Sequence, residues 1–262
     1  MLTNEQIQEL ISTTVSQNIH GFFEGKEVKV THMLDHIFPR ERKIRSLIGG
    51  LETSMGTRVW EPLAKSFATT NDYIVCDEDD FNNKVPIIPQ DLLNFIAHWE
   101  EKKLRNPTKA LAQFWVEVNE FVDGNIDRDT LQFTPIPKGQ GVDVILLKDD
   151  TYYFFDLKTT QLNAGGGPKF LRNILCWYSY GALLGIRDIR CFLAFPFNPH
   201  KGDFWKREGG KISPLIPKQE AFVADEFWDA LTGIQGTTEI IESTFKKLGN
   251  EGFGAQFSHH FD

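Results

Sequence analysis

One stretch constrains this chain more than any other. An apolar run, Val142 to Leu147, ends in Lys148-Asp149-Asp150-Thr151, and an alternating aromatic run, Tyr152 to Lys158, follows. The pattern predicts a β-hairpin. With the turn centred on Asp149-Asp150, Leu147 faces Tyr152 and Asp143 faces Asp156. Side chains alternate along a strand, so Tyr152, Phe154, Asp156 and Lys158 share one face. Directly opposite residues have Cβ atoms about 4.5–5.5 Å apart. Two carboxylates are thus expected side by side at the end of an apolar hairpin, with a lysine next to them.

Like charges at that distance repel, and one must hold a proton unless a cation intervenes. Oxygen ligands with few nitrogen or sulfur neighbours favour Mg²⁺, with Mn²⁺ as substitute. Such a metal lowers the pKa of a bound water and polarises a phosphodiester. Lys158 is then placed to orient that water or to stabilise growing negative charge. The reaction class is metal-dependent phosphodiester hydrolysis, with Asp143 and Asp156 on the metal. The plain alternative is a solvated Asp/Lys ion pair, common in strands by chance.

The rest of the chain supplies a frame for the hairpin. Asn4 to Ser16 reads as an amphipathic helix. Pro39 and a charged run lead into helical spacing at Ile44, Leu47, Ile48, Leu51 and Met55; Gly49-Gly50 inside it suggests close approach of another backbone or a DNA strand, or simple packing. Thr57 to Phe67, Gln90 to Leu104 and Thr108 to Val122 read as further helices, and the acidic stretch Asn71 to Pro89 as loop. After the hairpin come a breaker (Ala164 to Pro168), a helix (Lys169 to Leu184) and a buried strand (Ile189 to Phe195). Strand, strand, helix, strand implies an α/β core with a helical crossover. Asp225 to Leu231 and Thr237 to Lys247 are helical, and Gly252 to Asp262 is expected to be poorly ordered. The expected layout is one domain over 1–262: a mainly helical part over 1–125, an α/β core over 130–200, and C-terminal loops and helices over 201–262.

With 262 residues, 41% hydrophobic and 24% charged, the chain has a globular composition. No stretch approaches the roughly 20 apolar residues that span a bilayer, and the polar start, Met1 to Gln8, predicts no secretory signal. Three scattered cysteines without a C-x-x-C pair predict reduced thiols, an intracellular setting and no structural zinc. The net charge of −8 argues against a protein that coats nucleic acid non-specifically. Charge is segregated, however. Lys138 to Lys211 holds eleven Lys/Arg against seven Asp/Glu, a local +4 that leaves −12 elsewhere.

Gly141-Val142-Asp143, followed after thirteen residues by Asp156-Leu157-Lys158, resembles the PD-(D/E)xK nuclease pattern, and the strand, strand, helix, strand order is similar to that superfamily's core. Val142 stands where a Pro is common. The segments Arg45-Ser46-Leu47-Ile48-Gly49-Gly50-Leu51-Glu52-Thr53-Ser54, Trp60-Glu61-Pro62-Leu63-Ala64 and Phe155-Asp156-Leu157-Lys158-Thr159-Thr160 resemble the TdeIII-type group of type II restriction endonucleases, which cut GGNCC-type sites. The resemblance implies an α/β fold with a PD-(D/E)xK core, a central mixed sheet flanked by helices, and a mainly helical N-terminal half. It also implies Asp143 and Asp156 as metal ligands and Lys158 as the catalytic lysine. Many members add an acid from an N-terminal helix; Glu52 is the candidate here, at the edge of an apolar face, with Glu61 in reserve.

Other signals point to DNA without fixing individual contacts. Asn198, His200, Lys201, Lys206 and Arg207 follow the last core strand, where Arg and Lys are able to pair with guanine O6 and N7. Lys138 and Gln140 lie just ahead of Asp143, and Arg42 heads a basic helix with Arg40, Lys43 and Arg45. The Gly165-Gly166-Gly167 run lacks the form of a nucleotide P-loop, so no nucleotide cofactor is expected. His32 and His36 lack a zinc motif. The expected activity is that of a Mg²⁺-dependent, sequence-specific endonuclease acting on double-stranded DNA, a homodimer matching a palindromic site, in a prokaryotic cytoplasm. A structure-specific repair or recombination nuclease and a DNA-binding module without catalysis are the rivals.

Overall fold

The computed structural model of the protein describes residues 3–28, 32–159, 162–163 and 165–261. Met1, Thr160, Ala164 and Asp262, named above, lie outside the described residues. The chain forms two units, Met1–Asn71 with Trp228–Asp262, and Asp72–Phe227.

The first unit opens with α1 (Asn4–Phe23), started by a capping box between Thr3 and Gln6. Ile7, Ile11 and Val15 line its buried side, and Phe22 and Phe23 carry the helix past Ser16, where the expected one ends. Next comes α2 (Pro39–Met55), with Pro39 in the first turn, where its missing N–H leaves nothing unpaired. Gly56–Trp60 winds as a π-helical turn before α3 (Glu61–Thr70), so the helix expected over Thr57 to Phe67 starts in a wider turn and ends later. Near Gly50 the close neighbour is the Phe22 ring, 3.4 Å from where a Cβ would stand. A side chain takes the space beside Gly50, and nothing lies within 4 Å of where a Cβ on Gly49 would stand.

The second unit contains the sheet. Its acidic opening, expected as loop, forms β1 (Ile74–Cys76), α4 (Glu78–Asn82) and β2 (Val85–Pro86). Asp77 caps α4 through the Asp79 N–H, and Glu78, Asp79 and Asp80 sit in its first turn, where the helix dipole favours negative charge. Residues that look like a solvated loop are thus a helix start. There follow α5 (Gln90–Arg105), α6 (Leu111–Asn125), β3 (Phe133–Thr134), β4 (Val144–Lys148), β5 (Thr151–Leu157), α7 (Gly167–Leu183), β6 (Asp188–Phe195), α8 (Phe204–Ile212) and β7 (Ala221–Val223). Thr108 lies outside α6, and Gly124 lies inside its last turn.

The mixed sheet has five strands in the order β1-β4-β5-β6-β7; β1, β4 and β5 are antiparallel, and β6 and β7 run parallel to β5. The expected register holds over the paired residues, from Val144 opposite Phe155 through Leu147 opposite Tyr152 to Lys148 opposite Thr151, while Asp143, expected to face Asp156, precedes them at a bend. Its cause is local: Asp149 and Asp150 have φ of 49° and 61°, the left-handed pair that a two-residue hairpin turn demands. The crossover α7 covers one face, where Phe154 meets Trp177 with ring centroids 6.5 Å apart. At the start of α7 a Cβ on Gly167 would stand 1.9 Å from the Ser213 carbonyl oxygen, so only glycine fits. That glycine is required by packing against the Ser213 backbone. The basic segment after β6, expected as loop, contains α8, capped by Asp203.

The chain re-enters the first unit inside α9 (Asp225–Thr232), followed by α10 (Thr237–Asn250). Trp228 is fully buried, edge-on to Phe67 at 5.6 Å. The expected disorder after Gly252 is overturned. Phe253–His260 forms 3₁₀ turns, and Phe257 is buried with Phe22, Phe23 and Leu47. Burying one such ring is worth about 1.5–3 kcal/mol, enough to tie down a short terminal segment.

Candidate active site

The hairpin brings Asp143, Asp156 and Lys158 to one end of the sheet. Asp143 immediately precedes β4 at a bend, and its N–H donates at 3.0 Å to the carbonyl of Phe155, the residue already paired with Val144, so the regular ladder stops at Val144 and Asp143 sits beside the end of β5. Its carboxylate Oδ2 accepts the Leu157 N–H at 2.7 Å. Asp156 is buried, 5% exposed, on the same face as Phe154 and therefore on the side covered by α7. The ammonium of Lys158 lies against Asp156 Oδ1 and 5.5 Å from the centre of the Phe170 ring at the start of α7. The lysine backbone is also fixed, its N–H donating to the Ala194 carbonyl at 2.9 Å. An apolar ring and a buried strand thus hold an acid–amine pair whose lysine remains about one-third exposed, with 31% of its side chain open.

The loop before Asp143 is held from two sides. From α4, Asn82 donates Nδ2 to the Val142 carbonyl at 3.0 Å and accepts the Val142 N–H on Oδ1 at 2.9 Å. From α7, Asn173 donates to the Gly139 carbonyl at 3.2 Å and Trp177 Nε1 to the Gln140 carbonyl at 2.7 Å. Sequence reasoning missed all three side chains. Asn82 lies sixty residues before its partner, and no spacing rule links the two.

The other expected residues divide by how committed they are. Lys138, Lys201, Lys206 and Arg207 are exposed, and Gln140 is half-buried with its carbonyl taken by Trp177. Asn198 closes its own loop, donating to the Gly202 carbonyl and accepting the His200 N–H, both at 2.9 Å. The His200 ring meets Glu208 Oε1 at 2.9 Å, and Lys211 meets Glu208 Oε2 at 2.8 Å. Burial pushes the Glu208 carboxyl up, but Lys211 and His200 overcome it, and the group titrates below the usual carboxylate range. Arg42 is half-buried and bound to Asp35 at 2.8 Å. Glu52 is exposed on α2 and Glu61 half-buried at the start of α3, both in the first unit.

The donor chemistry fits a hard divalent ion. Among the described residues no cluster of three or more His, Cys, Asp or Glu is arranged to hold a metal, which leaves Asp143 and Asp156 as the candidate carboxylates. Mg²⁺ commonly takes one or two protein carboxylates, keeps waters and completes its shell with phosphate oxygens. Two aspartates without a nitrogen or sulfur ligand match that demand and not the demand of structural zinc.

No helix among the described residues is long and apolar enough to cross a membrane. A protein-family model described as "HinfI: Type II restriction endonuclease, HinfI" matches residues 3–249. No curated protein and no solved structure matches the chain.

Proposed function

Because the chain belongs to the HinfI family of type II restriction endonucleases, and so is a site-specific deoxyribonuclease that acts on double-stranded DNA, we propose that Asp143, Asp156 and Lys158 form its hydrolytic centre. What supports this reading is that the hairpin ends β4 and β5 at the same end of the sheet, where the Asp143 carboxylate accepts the Leu157 N–H and the Lys158 ammonium lies against Asp156. On this reading the sheet and its α7 crossover are a PD-(D/E)xK core, in keeping with the strand order and the sequence resemblance.

Asp143 and Asp156 would hold Mg²⁺, or Mn²⁺ in its place. The ion supplies a Lewis acid for the phosphodiester and a local positive charge for attack by water. Asp143 is oriented for this by the Leu157 N–H on one of its oxygens. Lys158, about one-third exposed, donates to the attacking water and to the phosphate oxygens as they gain charge. Water attacks phosphorus in line, and the opposite P–O bond breaks. Lys138, Lys201, Lys206 and Arg207 contact phosphates or base edges, because they are exposed and lie on the loops and helix around the core. The protein acts as a homodimer in a prokaryotic cytoplasm, one endonuclease domain per subunit, since a palindromic site is matched most simply by two-fold symmetry. GGNCC is the first recognition site to test; it rests on the sequence resemblance to the TdeIII-type group, whereas the matched family model is that of HinfI.

Incubation with a long DNA of known sequence and Mg²⁺ tests this directly. Discrete fragments whose ends map to one short sequence are expected, with no cutting in EDTA. Fragment ends at another sequence would reject GGNCC alone. Undiminished cutting by both Asp156→Ala and Lys158→Ala would reject the proposed centre. Light scattering of the protein, free and with DNA, tests the dimer.

A further inference from the structure

We propose that Asn82 is a positioning residue for DNA cleavage: its amide pairs with the Val142 backbone and so fixes the direction of the Asp143 carboxylate. The inference rests on Asp143 being a metal-holding carboxylate, as argued above, and adds a residue that neither the motif nor the family match assigns.

The sheet has a gap beside Val142. β1 pairs with β4 only from Ile74 opposite Leu147 to Cys76 opposite Ile145. Past Cys76 the chain turns into α4, so among the described residues no strand flanks Val142 on that side. A backbone N–H and C=O left unpaired beside the sheet would be free to hydrate and rotate. Asn82 fills the gap with one donor and one acceptor, at 3.0 and 2.9 Å, which is what a neighbouring strand would have supplied. Only a primary amide offers both groups in one plane.

Asn82 is itself held, since its carbonyl accepts the Ile136 N–H at 2.7 Å, and Gly141 makes room for it, a Cβ there standing 3.4 Å from the amide. Val142 therefore cannot turn without breaking two bonds. The next residue is Asp143, fixed on its other side by the bond to Phe155. From α7, Asn173 and Trp177 each donate one bond, to the Gly139 and Gln140 carbonyls, but these lie three and two residues before Val142. Outer groups that orient a metal ligand typically change metal affinity or activity by about 10–100-fold when removed.

The test uses full-length protein, with Mn²⁺ alone as probe, its binding followed by the electron paramagnetic resonance of the free ion, and steady-state cutting of plasmid DNA. For Asn82→Ala, Mn²⁺ affinity and kcat are each expected to fall by about tenfold or more, with KM for DNA unchanged within about twofold. Asn82→Asp, which keeps the acceptor and loses the donor, should move both the same way. A merely structural asparagine would lower Tm and leave Mn²⁺ affinity unchanged in the folded protein, and that result overturns the proposal. If Asn82→Ala does not fold, Asn173→Ala decides: a smaller drop in Mn²⁺ affinity supports the clamp, and no change overturns it. Asp143→Ala run beside them separates the premises. Loss of Mn²⁺ binding there with none in Asn82→Ala rejects Asn82 alone, whereas retained binding and cutting in Asp143→Ala rejects the active-site assignment and this inference with it.

Discussion

The second unit contains two lysine–carboxylate pairs of opposite character. Lys103 on α5 is fully buried and meets Glu220 at 2.8 Å. It also donates to the Lys109 carbonyl at 2.6 Å, while Glu220 accepts the Leu111 N–H at 2.7 Å and the Ile216 N–H at 2.8 Å. Burial pulls the Lys103 ammonium below the ordinary lysine range, and Glu220 offsets this only in part. Lys158 and Asp156 differ. Among the described residues the Lys158 ammonium meets only Asp156 and the face of Phe170, and Asp156 receives no backbone N–H. The first pair has used its hydrogen-bonding capacity to join α5, the start of α6 and the loop before β7. The second keeps capacity in reserve. Under the proposed function, unspent donors and acceptors, more than charge or burial, mark the pair that does chemistry.

The sharpest way to break that comparison is to remove each lysine in turn. Lys158→Ala should lower kcat by roughly 10²–10³-fold, the usual cost of losing one donor to a developing oxyanion, with Tm nearly unchanged. Lys103→Met should do the reverse. Taking one partner from a buried pair costs about 3–5 kcal/mol, or roughly 10 °C at the usual 2–4 °C per kcal/mol for a chain of this size. Cleavage per folded molecule should be retained. Replacing both partners, Lys103→Met with Glu220→Leu, should not restore stability, because the Leu111 and Ile216 N–H groups then lose their acceptor. Calorimetry and plasmid cutting on the same samples check all three.

The hairpin and its register were legible because every step was local: alternation, a two-residue turn, and acids at fixed distances from it. The crossover helix and β6 were legible for the same reason. β1 and β7 were not, being three residues each and too short for alternation to show. α4 was hidden by its own N-terminal acids, and α8 by Gly209 and Gly210 and a run of charge. The proposed Asp143, Asp156 and Lys158 set lies within sixteen residues around one local turn, whereas Asn82 and the Lys103–Glu220 pair depend on contacts between residues sixty or more apart. His200 and Arg42 show the remaining limit. Sequence gives their charge and their place, one in a loop and one in a basic helix, but only the fold shows that Glu208 and Asp35 already engage them.

Committed and uncommitted cations should differ on DNA as well. Removing one cation from a phosphate lowers the slope of log K against log salt by about 0.9. Lys206→Ala with Arg207→Ala removes two exposed cations and should reduce the slope by roughly 1–2. Arg42→Ala removes a side chain engaged by Asp35 and should leave the slope nearly unchanged. Binding titrations over a range of salt, with Ca²⁺ replacing Mg²⁺ to prevent cutting, measure both. Equal slopes for the two variants would mean that engagement with a carboxylate does not keep Arg42 from the DNA.

The smallest effect concerns Glu208, an acid engaged like Glu220 but by the Lys211 and His200 side chains rather than by backbone N–H groups. Its folded pKa lies below the unfolded value of about 4.3. The unfolded chain therefore takes up the proton first as pH falls, and stability drops with it. The contribution is fully present above the unfolded pKa and is lost as pH falls through the folded one. Glu208→Gln cannot titrate, so the Tm difference between wild type and variant should be largest near neutral pH and shrink as pH falls below about 4.3. A difference that stays constant across that range would show that Lys211 and His200 pack against Glu208 without stabilising its charge, and α8 would then owe its position to Phe204 and Ile212, its buried apolar residues.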